Sequence, residues 1–463
     1  MSPPTSSAIK ETLGVSGPPL GLAYLASVIR REGHEVRIVD SLTEGYTFDD
    51  LRRIIRGYYP DAVGITSTTS TIPDAYATAA IAKEINPEMT VIMGGPHVTF
   101  VPDLTFQECP HVDVIVRGEG EEVVRQLLPA LQGERRLREV RGISYLENGV
   151  VKHNPPCPLI EELDDIPIPA YDLLPMEKYR VGGRRFGAIV TSRGCPFQCV
   201  FCSSSLLFGK RWRGHSPERV LREIKILYDD FGVREIEFLD DTFTLNRKRA
   251  RDIADAIVEE GLDVSWSASS RVDTFDAELG RRMKRAGCHT VYFGIESGSQ
   301  ETLDMIGKGI TLRQAVDAVR AAKRARLSTL GSFIIGFPHE TEEDIKKTIS
   351  FSKKVGVSMA QFTVATPYPG TRLWDLALKE NLLLTRDWRK FTTLTVVMKS
   401  FHLTARQIQR LLRWAYISFY MRPKIILTDL IKNRGFILRR VLPAAVSYLL
   451  SSWRKWRRSA RSV

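Results

Sequence analysis

The sequence contains few cysteines and no long uninterrupted hydrophobic run. Six cysteines in 463 residues are too few for the disulfide framework of a small secreted domain, which indicates a reducing compartment. No stretch reaches the roughly 18 consecutive apolar residues that a transmembrane helix needs. With 43% hydrophobic and 26% charged residues, the chain is expected to fold as two or three globular domains in the cytoplasm.

Acidic residues are scarce in one place only, the carboxyl-terminal tail. The whole chain carries 66 Lys and Arg against 54 Asp and Glu, a net charge of +12. Residues 421–463 contain eleven Lys or Arg and a single acid, Asp429, so this segment holds +10 and the other 420 residues hold only +2. A nearly neutral main body excludes a generally basic nucleic-acid-binding protein, and we expect no nucleic-acid partner.

Short apolar runs alternate with helical segments along most of the chain, which predicts parallel sheets. The predicted strands cover 36–39, 62–66, 91–93 and 112–116 in the first part, and 186–191, 235–239, 264–268, 290–295, 332–335 and 360–364 in the second. We therefore predict an α/β protein: an N-terminal doubly wound, Rossmann-like domain (1–153), a Pro-rich linker (154–182), a partial (β/α)6 TIM-type barrel (183–400) and a helical C-terminal extension (401–463).

The doubly wound pattern starts at a turn, Pro3-Pro4, rather than at a strand. A buried strand normally precedes the first helix of such a domain. We therefore expect that a few residues carrying this strand are missing before Met1 through a start site assigned too late, which the upstream reading frame tests.

Three of the six cysteines lie within eight residues, directly after the first strand of the second series. Cys195, Cys199 and Cys202 have the spacing C-x3-C-x2-C. A structural zinc site takes four ligands, commonly in paired C-x2-C units, and no fourth ligand lies in a comparable loop. Three thiolates on a tight loop are typical of a [4Fe–4S] cluster with one open iron, and a zinc knuckle is the alternative.

With Phe201 before the last cysteine, this loop resembles that of the radical S-adenosylmethionine (SAM) superfamily. Four later stretches agree in order with that family: Phe238-Leu-Asp-Asp-Thr-Phe-Thr244, Gly294-Ile-Glu-Ser-Gly298, Phe333-Ile-Ile-Gly-Phe-Pro338 and Thr366-Pro-Tyr-Pro-Gly-Thr371. The resemblance implies that SAM chelates the open iron and is cleaved to a 5′-deoxyadenosyl radical by an electron from a reductant such as ferredoxin or flavodoxin.

The resemblance also implies a set of SAM-binding residues at the ends of the barrel strands. They are Phe201, Asp241, Arg271 and Glu296, with Asp240 as the neighbouring alternative to Asp241. Each of the three charged residues has a simpler interpretation as part of a salt bridge at the mouth of the barrel.

The N-terminal domain resembles the cobalamin-binding domain that precedes the barrel in some radical SAM enzymes. The resemblance lies in Gly64-Ile-Thr-Ser-Thr-Thr-Ser70, Met93-Gly-Gly-Pro-His97 and Arg117-Gly-Glu-Gly-Glu121. It implies that cobalamin contacts Ser67, Thr68, Ser70, Gly94, Gly95 and Glu119 at the carboxyl ends of the strands. The D-x-H-x-x-G loop of many cobalamin domains has no counterpart, so cobalamin would have no protein His ligand. His97 is expected to be a turn residue.

The basic tail has a pattern typical of peripheral membrane segments. Apolar runs over 425–430 and 436–450 are flanked by basic residues and by the cluster Trp453-Arg-Lys-Trp-Arg-Arg458. We expect 421–463 to lie on an anionic membrane at the inner face. The alternatives are a solvated tail that covers the barrel and RNA binding.

Together these features predict a cobalamin-dependent radical SAM enzyme that functionalises an unactivated carbon. The resemblance implies methylation, or formation of a ring or C–C bond, and the tail suggests an apolar lipid, isoprenoid or tetrapyrrole substrate. A methylthiotransferase acting on RNA or protein is the alternative. Those enzymes hold a second cluster with extra cysteines in the N-terminal domain, where this chain has only Cys109.

Overall fold

The computed structural model describes residues 1–5, 17–423 and 425–427. Nearly all of the basic tail, and with it the predicted membrane segment, lies outside the described residues. The chain forms a five-stranded sheet and a seven-stranded sheet, and in both the strands lie side by side in the order in which they occur along the chain. A separate two-stranded ribbon pairs β8 (Ser192–Arg193) with β9 (Arg213–Gly214).

The first sheet has a parallel, doubly wound part and an antiparallel hairpin. Its strands are β1 (Ala62–Thr66), β2 (Thr90–Gly94), β3 (Val114–Val116), β4 (Ile143–Glu147) and β5 (Val150–His153). Strands β1 to β3 are parallel, whereas β3-β4 and β4-β5 are antiparallel. The helices of this part are Leu20–Arg31, Ser41–Glu44, Phe48–Tyr58, Ile72–Ile85, Pro96–Phe100, Pro102–Glu108 and Gly120–Leu131.

One predicted strand is not formed, and one hairpin was not predicted. Residues 36–39 pair with no other strand. The described N-terminal residues next to this segment make only one isolated bridge, between Ser2 and Asp40. The β4-β5 hairpin turns at Asn148-Gly149, both with positive φ, and this turn chemistry is a signal that the sequence interpretation missed.

The second sheet is the predicted six-stranded partial barrel. Strands β7 (Arg184–Ile189), β10 (Glu235–Phe238), β11 (Ser265–Ser270), β12 (Cys288–Glu296), β13 (Ser328–Ile335) and β14 (Met359–Val364) are all parallel. Strand β6 (Arg180–Val181) adds antiparallel to β7. The helices are Ser204–Leu207, Pro217–Asp229, Arg247–Glu259, Ala277–Arg285, Gln300–Met305, Leu312–Arg324, Glu342–Val355 and Arg372–Lys379. The α/β fold class is therefore confirmed.

Alternation along the strands separates an apolar outer face from a mixed inner face. Ile236, Phe238 and Trp266 are at most 1% exposed, and the rings of Phe238 and Trp266 lie 5.0 Å apart. Glu237 and Tyr292 point to the opposite side and are partly exposed. The helices thus cover one side of the sheet, and the other side is open to a ligand.

The C-terminal extension closes the free edge of the barrel sheet. In helix Ala405–Tyr420, the hydroxyl of Tyr416 donates to the Phe362 carbonyl at 2.8 Å and accepts from its N–H at 3.2 Å. The hydroxyl of Tyr420 makes the same pair of bonds with Ala360. These contacts satisfy the edge of β14, where a further strand would otherwise pair. Among the described residues, no helix combines the length and hydropathy needed to cross a bilayer.

Candidate active site

The cysteine loop, residues 194–202, is attached to the barrel from three sides. It follows β8 (Ser192–Arg193), which pairs with β9 (Arg213–Gly214). The Cys195 N–H donates to the Gly209 carbonyl at 3.1 Å. Val200 makes two backbone hydrogen bonds to the barrel. Its N–H donates to the Ile306 carbonyl at 3.0 Å, and its carbonyl accepts from the Leu373 N–H at 2.9 Å. The loop is therefore placed at the carboxyl end of the sheet, where parallel barrels carry their chemistry.

All three thiols of this loop are partly buried. Burial raises the pKa of Cys195 and Cys199, and it raises the pKa of Cys202 to about 11. Within the described part of the chain, no three His, Cys, Asp or Glu side chains are placed to hold one metal ion. A cubane cluster asks for a different arrangement, because its cysteines bind separate irons. Three cysteines on one anchored loop, with no fourth, are the ligands expected for a [4Fe–4S] cluster with one open iron.

Glu296 and Lys308 form a buried ion pair beside this loop. The Lys308 Nζ lies 2.7 Å from Glu296 Oε1, and both side chains are 8% exposed. Glu296 has a positive φ of 68°, an unfavourable value for a residue with a side chain. A Cβ at Gly294 would lie 2.6 Å from the Glu296 carboxylate, so glycine is needed for the pair to form. Glu296, proposed from sequence, thus comes with a partner that sequence reasoning missed, although Gly307-Lys308-Gly309 stands out as a close-approach motif.

Arg271 lies against the cysteine loop and is held in place by three groups. Its guanidinium binds Asp273 at 2.8 and 2.9 Å and donates to the Lys308 carbonyl at 3.0 Å. It also covers the ring of Phe197, 3.4 Å from the centroid, as in a cation–π contact. Phe201 packs 5.9 Å from Phe337. Phe201 is therefore part of the loop itself, and Arg271 lies against the loop in an ion pair with Asp273.

The two neighbouring aspartates have different environments. The Asp240 carboxylate is buried and accepts from the Thr191 N–H, the Thr191 hydroxyl and the Ser192 hydroxyl, each at 2.6 Å. Asp241 is solvent-accessible and accepts from Ser204. Burial nevertheless raises the pKa of Asp241, as expected on the wall of a concave surface. The arrangement makes Asp240 an anchor of the sheet edge and leaves Asp241 as the candidate ligand.

The Glu296–Lys308 pair gives a first testable prediction. Lys308→Met leaves the Glu296 carboxylate buried without its partner, so the free energy of unfolding should fall by about 3–5 kcal/mol. The double variant Glu296→Met/Lys308→Met removes both charges and should regain most of that loss. Both the single and the double variant should lose the SAM binding of the parent protein. Urea unfolding and calorimetric titration with SAM measure the two effects. A double variant as unstable as the single one would contradict this account of the pair.

The predicted cobalamin residues after β1 and β2 are brought together. The Ser67 N–H donates to the Gly94 carbonyl at 3.3 Å. Gly95 has φ +107°, and a Cβ there would lie 2.4 Å from the Ser67 carbonyl oxygen. The Ser67 hydroxyl is buried and has no hydrogen-bond partner. A glycine cradle and an unpaired hydroxyl at the carboxyl end of a doubly wound sheet fit the tail of a bound nucleotide-like cofactor.

The other polar residues of this edge differ in exposure. Thr68 is exposed and Ser70 is half-buried, and their hydroxyls are 3.5 Å apart at the rim. His97 is 1% exposed and binds Thr69 through Nδ1 at 3.2 Å, while its buried Nε2 has no partner. His97 lies in a helix, Pro96–Phe100, so it is a core residue rather than the expected turn residue.

Glu119 differs from the sequence expectation. Its carboxylate binds the Arg213 guanidinium at 2.8 and 3.0 Å and accepts from the Ile160 N–H at 2.9 Å. The side chain therefore points into the contact with the barrel and has no free oxygen for a cofactor. The sequence motif correctly places a carboxylate after β3. It does not show whether that carboxylate contacts the cofactor of its own domain or a residue of the barrel.

His97 gives a prediction about pH. Burial lowers its pKa from 6.5 to about 4, so the unfolded state binds a proton before the folded state does. The contribution of His97 to the free energy of unfolding is therefore independent of pH above about 6.5. It falls as the pH decreases from 6.5 toward 4, by about 1.4 kcal/mol per pH unit. Between pH 7 and pH 5 the protein should lose about 2 kcal/mol more than His97→Gln in urea unfolding. Equal losses would show that His97 is not buried neutral.

The chain after β14 returns to the N-terminal domain. The Trp388 ring meets the His97 ring edge-on at 4.8 Å, and its Nε1 donates to Glu108 at 3.0 Å. Phe391 and Val397 are fully buried in the same core. Trp388 lies between Asp387 and Arg389 in the sequence, and this pattern does not predict its contact with the N-terminal domain. The carboxyl ends of the two sheets are thus joined by a covering segment.

Comparison with known proteins agrees with this architecture. Residues 6–128 match the B12 binding domain and residues 189–352 match the radical SAM superfamily. The chain is 59% identical over 440 residues to an uncharacterized methyltransferase of Pyrococcus horikoshii, with 95% of this chain and 96% of that protein covered. It is 33% identical over 392 residues to the anaerobic magnesium-protoporphyrin IX monomethyl ester cyclase of Rubrivivax gelatinosus, with 82% and 70% covered.

A solved structure shares the fold along nearly the whole chain. The cobalamin-dependent S-adenosylmethionine radical enzyme OxsB, with aqua-cobalamin and SAM bound, superposes with a TM-score of 0.76 at 19% identity, covering 98% of this chain and 70% of that one. The cofactors of the present chain are accordingly a [4Fe–4S] cluster, SAM and cobalamin, and these relatives do not favour a methylthiotransferase. The chain belongs to the radical SAM enzymes that carry an N-terminal cobalamin-binding domain.

Proposed function

We propose that the protein is a C-methyltransferase that acts on an unactivated carbon of an apolar lipid, isoprenoid or tetrapyrrole. When bound, the cluster and SAM supply a radical that removes a substrate hydrogen, and cobalamin supplies the methyl group. The cluster ligands are Cys195, Cys199 and Cys202 in this proposal. Ring closure is the second candidate, since a relative at 33% identity is a cyclase.

The observation that carries the proposal is how the two sheets meet. The short helix after β2, Pro96–Phe100, touches the loop after β14, where a Cβ at Gly370 would lie 2.4 Å from the Phe100 ring. The loop after β3 binds the β8-β9 ribbon, whose two strands flank the cysteine loop in the chain, through Glu119 and Arg213. Segments that follow the carboxyl ends of strands in both sheets are therefore in contact with each other. A donor on one sheet and a radical on the other can act on the same carbon only in such an arrangement.

The chain's own residues would hold SAM from the barrel side. We assign Glu296 and Asp241 to its cationic and hydroxyl groups and Arg271 to its carboxylate, because these charges surround the cysteine loop. Lys308 keeps the Glu296 carboxylate oriented at 2.7 Å. On the N-terminal side, Ser67, Thr68, Ser70, Gly94 and Gly95 would hold the tail of cobalamin.

The inner face of the barrel supports an apolar substrate. Leu330 of β13 stands in register between Tyr292 of β12 and Met359 of β14 on this face, and all three are partly exposed. Ile334, further along β13, is also partly exposed on the same side. These side chains offer an apolar wall to a substrate on the same face of the sheet as the polar Glu237. The porphyrin named for the cyclase relative belongs to the same substrate class.

We also propose that the protein associates peripherally with anionic membranes. Exposed apolar side chains at Trp414, Ile417 and Met421 (41%, 46% and 50% exposed) lead into the basic tail. An enzyme that takes its substrate from a bilayer gains from such a surface. Flotation with anionic and neutral liposomes, with and without residues 421–463, tests this; equal binding by both forms removes the tail from the proposal.

The methyltransferase proposal is tested by anaerobic reconstitution and isotope transfer. The protein should hold about four irons and one cobalamin. Trideuteromethyl-SAM, a reductant and a lipid or tetrapyrrole extract should then give S-adenosylhomocysteine, 5′-deoxyadenosine and a product carrying the labelled methyl group. A second set of about four irons without cobalt would overturn the proposal. 5′-Deoxyadenosine with an unlabelled, dehydrogenated product would favour the cyclase instead.

A further inference from the structure

Four buried charged side chains join the N-terminal domain to the β8-β9 ribbon, whose first strand leads directly into the cysteine loop. We call Glu119, Glu121, Arg193 and Arg213 the arginine–glutamate quartet. Arg193 lies 2.5 Å from Glu121 and 3.5 Å from Glu119, and Arg213 lies 2.8 Å from Glu119. All four side chains are between 3% and 9% exposed. The two carboxylates balance the two guanidinium groups, so the quartet is neutral as a whole.

The two arginines would repel each other without the glutamates. Arg193 and Arg213 are direct cross-strand partners in the β8-β9 ribbon, and like charges in opposite positions destabilise a strand pair. The ribbon has only two residues in each strand, so its backbone bonds offer little compensation. The carboxylates that neutralise it both come from the other domain, Glu119 from the loop after β3 and Glu121 from the first turn of the helix Gly120–Leu131. The ribbon therefore depends on the N-terminal domain for its stability.

The ribbon in turn fixes the cysteine loop. Cys195 follows Arg193 after one residue, Gly194, whose φ of +85° and 2.2 Å approach of a Cβ to the Arg211 carbonyl exclude other residues. Arg213 also donates to the Phe208 carbonyl at 2.7 Å, one residue before the Gly209 carbonyl that accepts from Cys195. Displacement of either arginine would therefore shift the start of this loop, at Cys195.

We infer that the arginine–glutamate quartet positions the cysteine loop, so that the cobalamin-binding domain itself holds the iron–sulfur ligands in place. Glu121 and Arg193 are then positioning residues of the reaction, and the Gly-Glu-Gly-Glu motif serves the barrel rather than the cofactor of its own domain. The inference rests on the proposed role of the loop in cluster binding.

Hydrogen–deuterium exchange of the full-length, iron-free protein tests the inference without any turnover. Glu121→Gln keeps the shape of the side chain and removes its charge, leaving Arg193 buried with reduced compensation. We expect exchange in residues 192–214 to become at least about tenfold faster. After reconstitution, the variant should retain less than half the iron of the parent and give a weaker SAM-induced change in the electron paramagnetic resonance of the reduced cluster.

Glu223→Gln is the matched control. Glu223 forms a buried pair with Arg219 at 2.7 Å within one helix, so exchange should rise there and stay at the parent rate over 192–214. Glu121→Asp, which keeps the charge, should restore part of the protection even if Glu121→Gln folds poorly. Parent-like exchange over 192–214 in Glu121→Gln, or equal acceleration in Glu223→Gln, would overturn the inference. A parent that holds no iron would refute the proposed function, while the exchange comparison would still decide the role of the quartet.

Discussion

Cys202→Ala should abolish SAM cleavage and cluster binding while leaving the fold intact. Cys202 ends the anchored loop, and its thiol is one of only three there. With two cysteines left, the loop cannot supply three irons with ligands, so iron should fall from about four per chain to well under one. Formation of 5′-deoxyadenosine should fall by at least about a thousandfold, since the uncatalysed alternative offers no comparable route. Iron analysis and product quantification measure both.

Cys288→Ala is the control for this prediction. Cys288 opens β12, is fully buried and lies 3.7 Å from the Thr290 carbonyl through its Sγ. Its removal should cost about 1 kcal/mol of stability, as for a small buried hydrophobe, and leave iron content at the parent level. Loss of iron in Cys288→Ala, or retention of iron in Cys202→Ala, would show that the cluster is held elsewhere.

The sequence predicted the parts of the fold that depend on periodicity. The strand Ala62–Thr66 has the predicted bounds, because apolar residues along a single element determine them. The six barrel strands were found for the same reason, with ends that differ by up to a few residues. The antiparallel hairpin Ile143–Glu147/Val150–His153 was missed, since its second strand is largely exposed and carries no apolar alternation.

Contacts between distant segments were much harder to predict. Lys308 reaches Glu296 from the next loop, and Glu119 reaches Arg213 across 94 residues. A sequence shows the charge of each group but not its partner, because the partner is chosen by the packing of whole elements. Glu119 was for this reason assigned to the cofactor, although its motif was correctly placed at the end of β3. The site could be located from the sequence, but the network that holds it could not.

Gly95→Ala should separate the N-terminal domain from its cofactor. The φ of +107° at Gly95 is strained for any residue with a Cβ, and that Cβ would lie 2.4 Å from the Ser67 carbonyl oxygen. Backbone strain of about 1–3 kcal/mol adds to the displacement of the Ser67 loop, so we expect a loss of about 3 kcal/mol in the free energy of unfolding. The same displacement removes the cradle, and cobalamin binding, followed by its absorption spectrum after gel filtration, should be lost.

Gly64→Ala distinguishes this effect from a general weakening of the domain. Gly64 lies in β1, three residues before Ser67, and a Cβ there meets nothing within 4 Å. Cobalamin should therefore bind to Gly64→Ala as to the parent, with stability changed by less than about 1 kcal/mol. If Gly95→Ala retains cobalamin while Gly64→Ala loses it, the cofactor lies on another part of the sheet. If both retain it, the glycine at position 95 serves the backbone turn alone, and the cradle is not the determinant of binding.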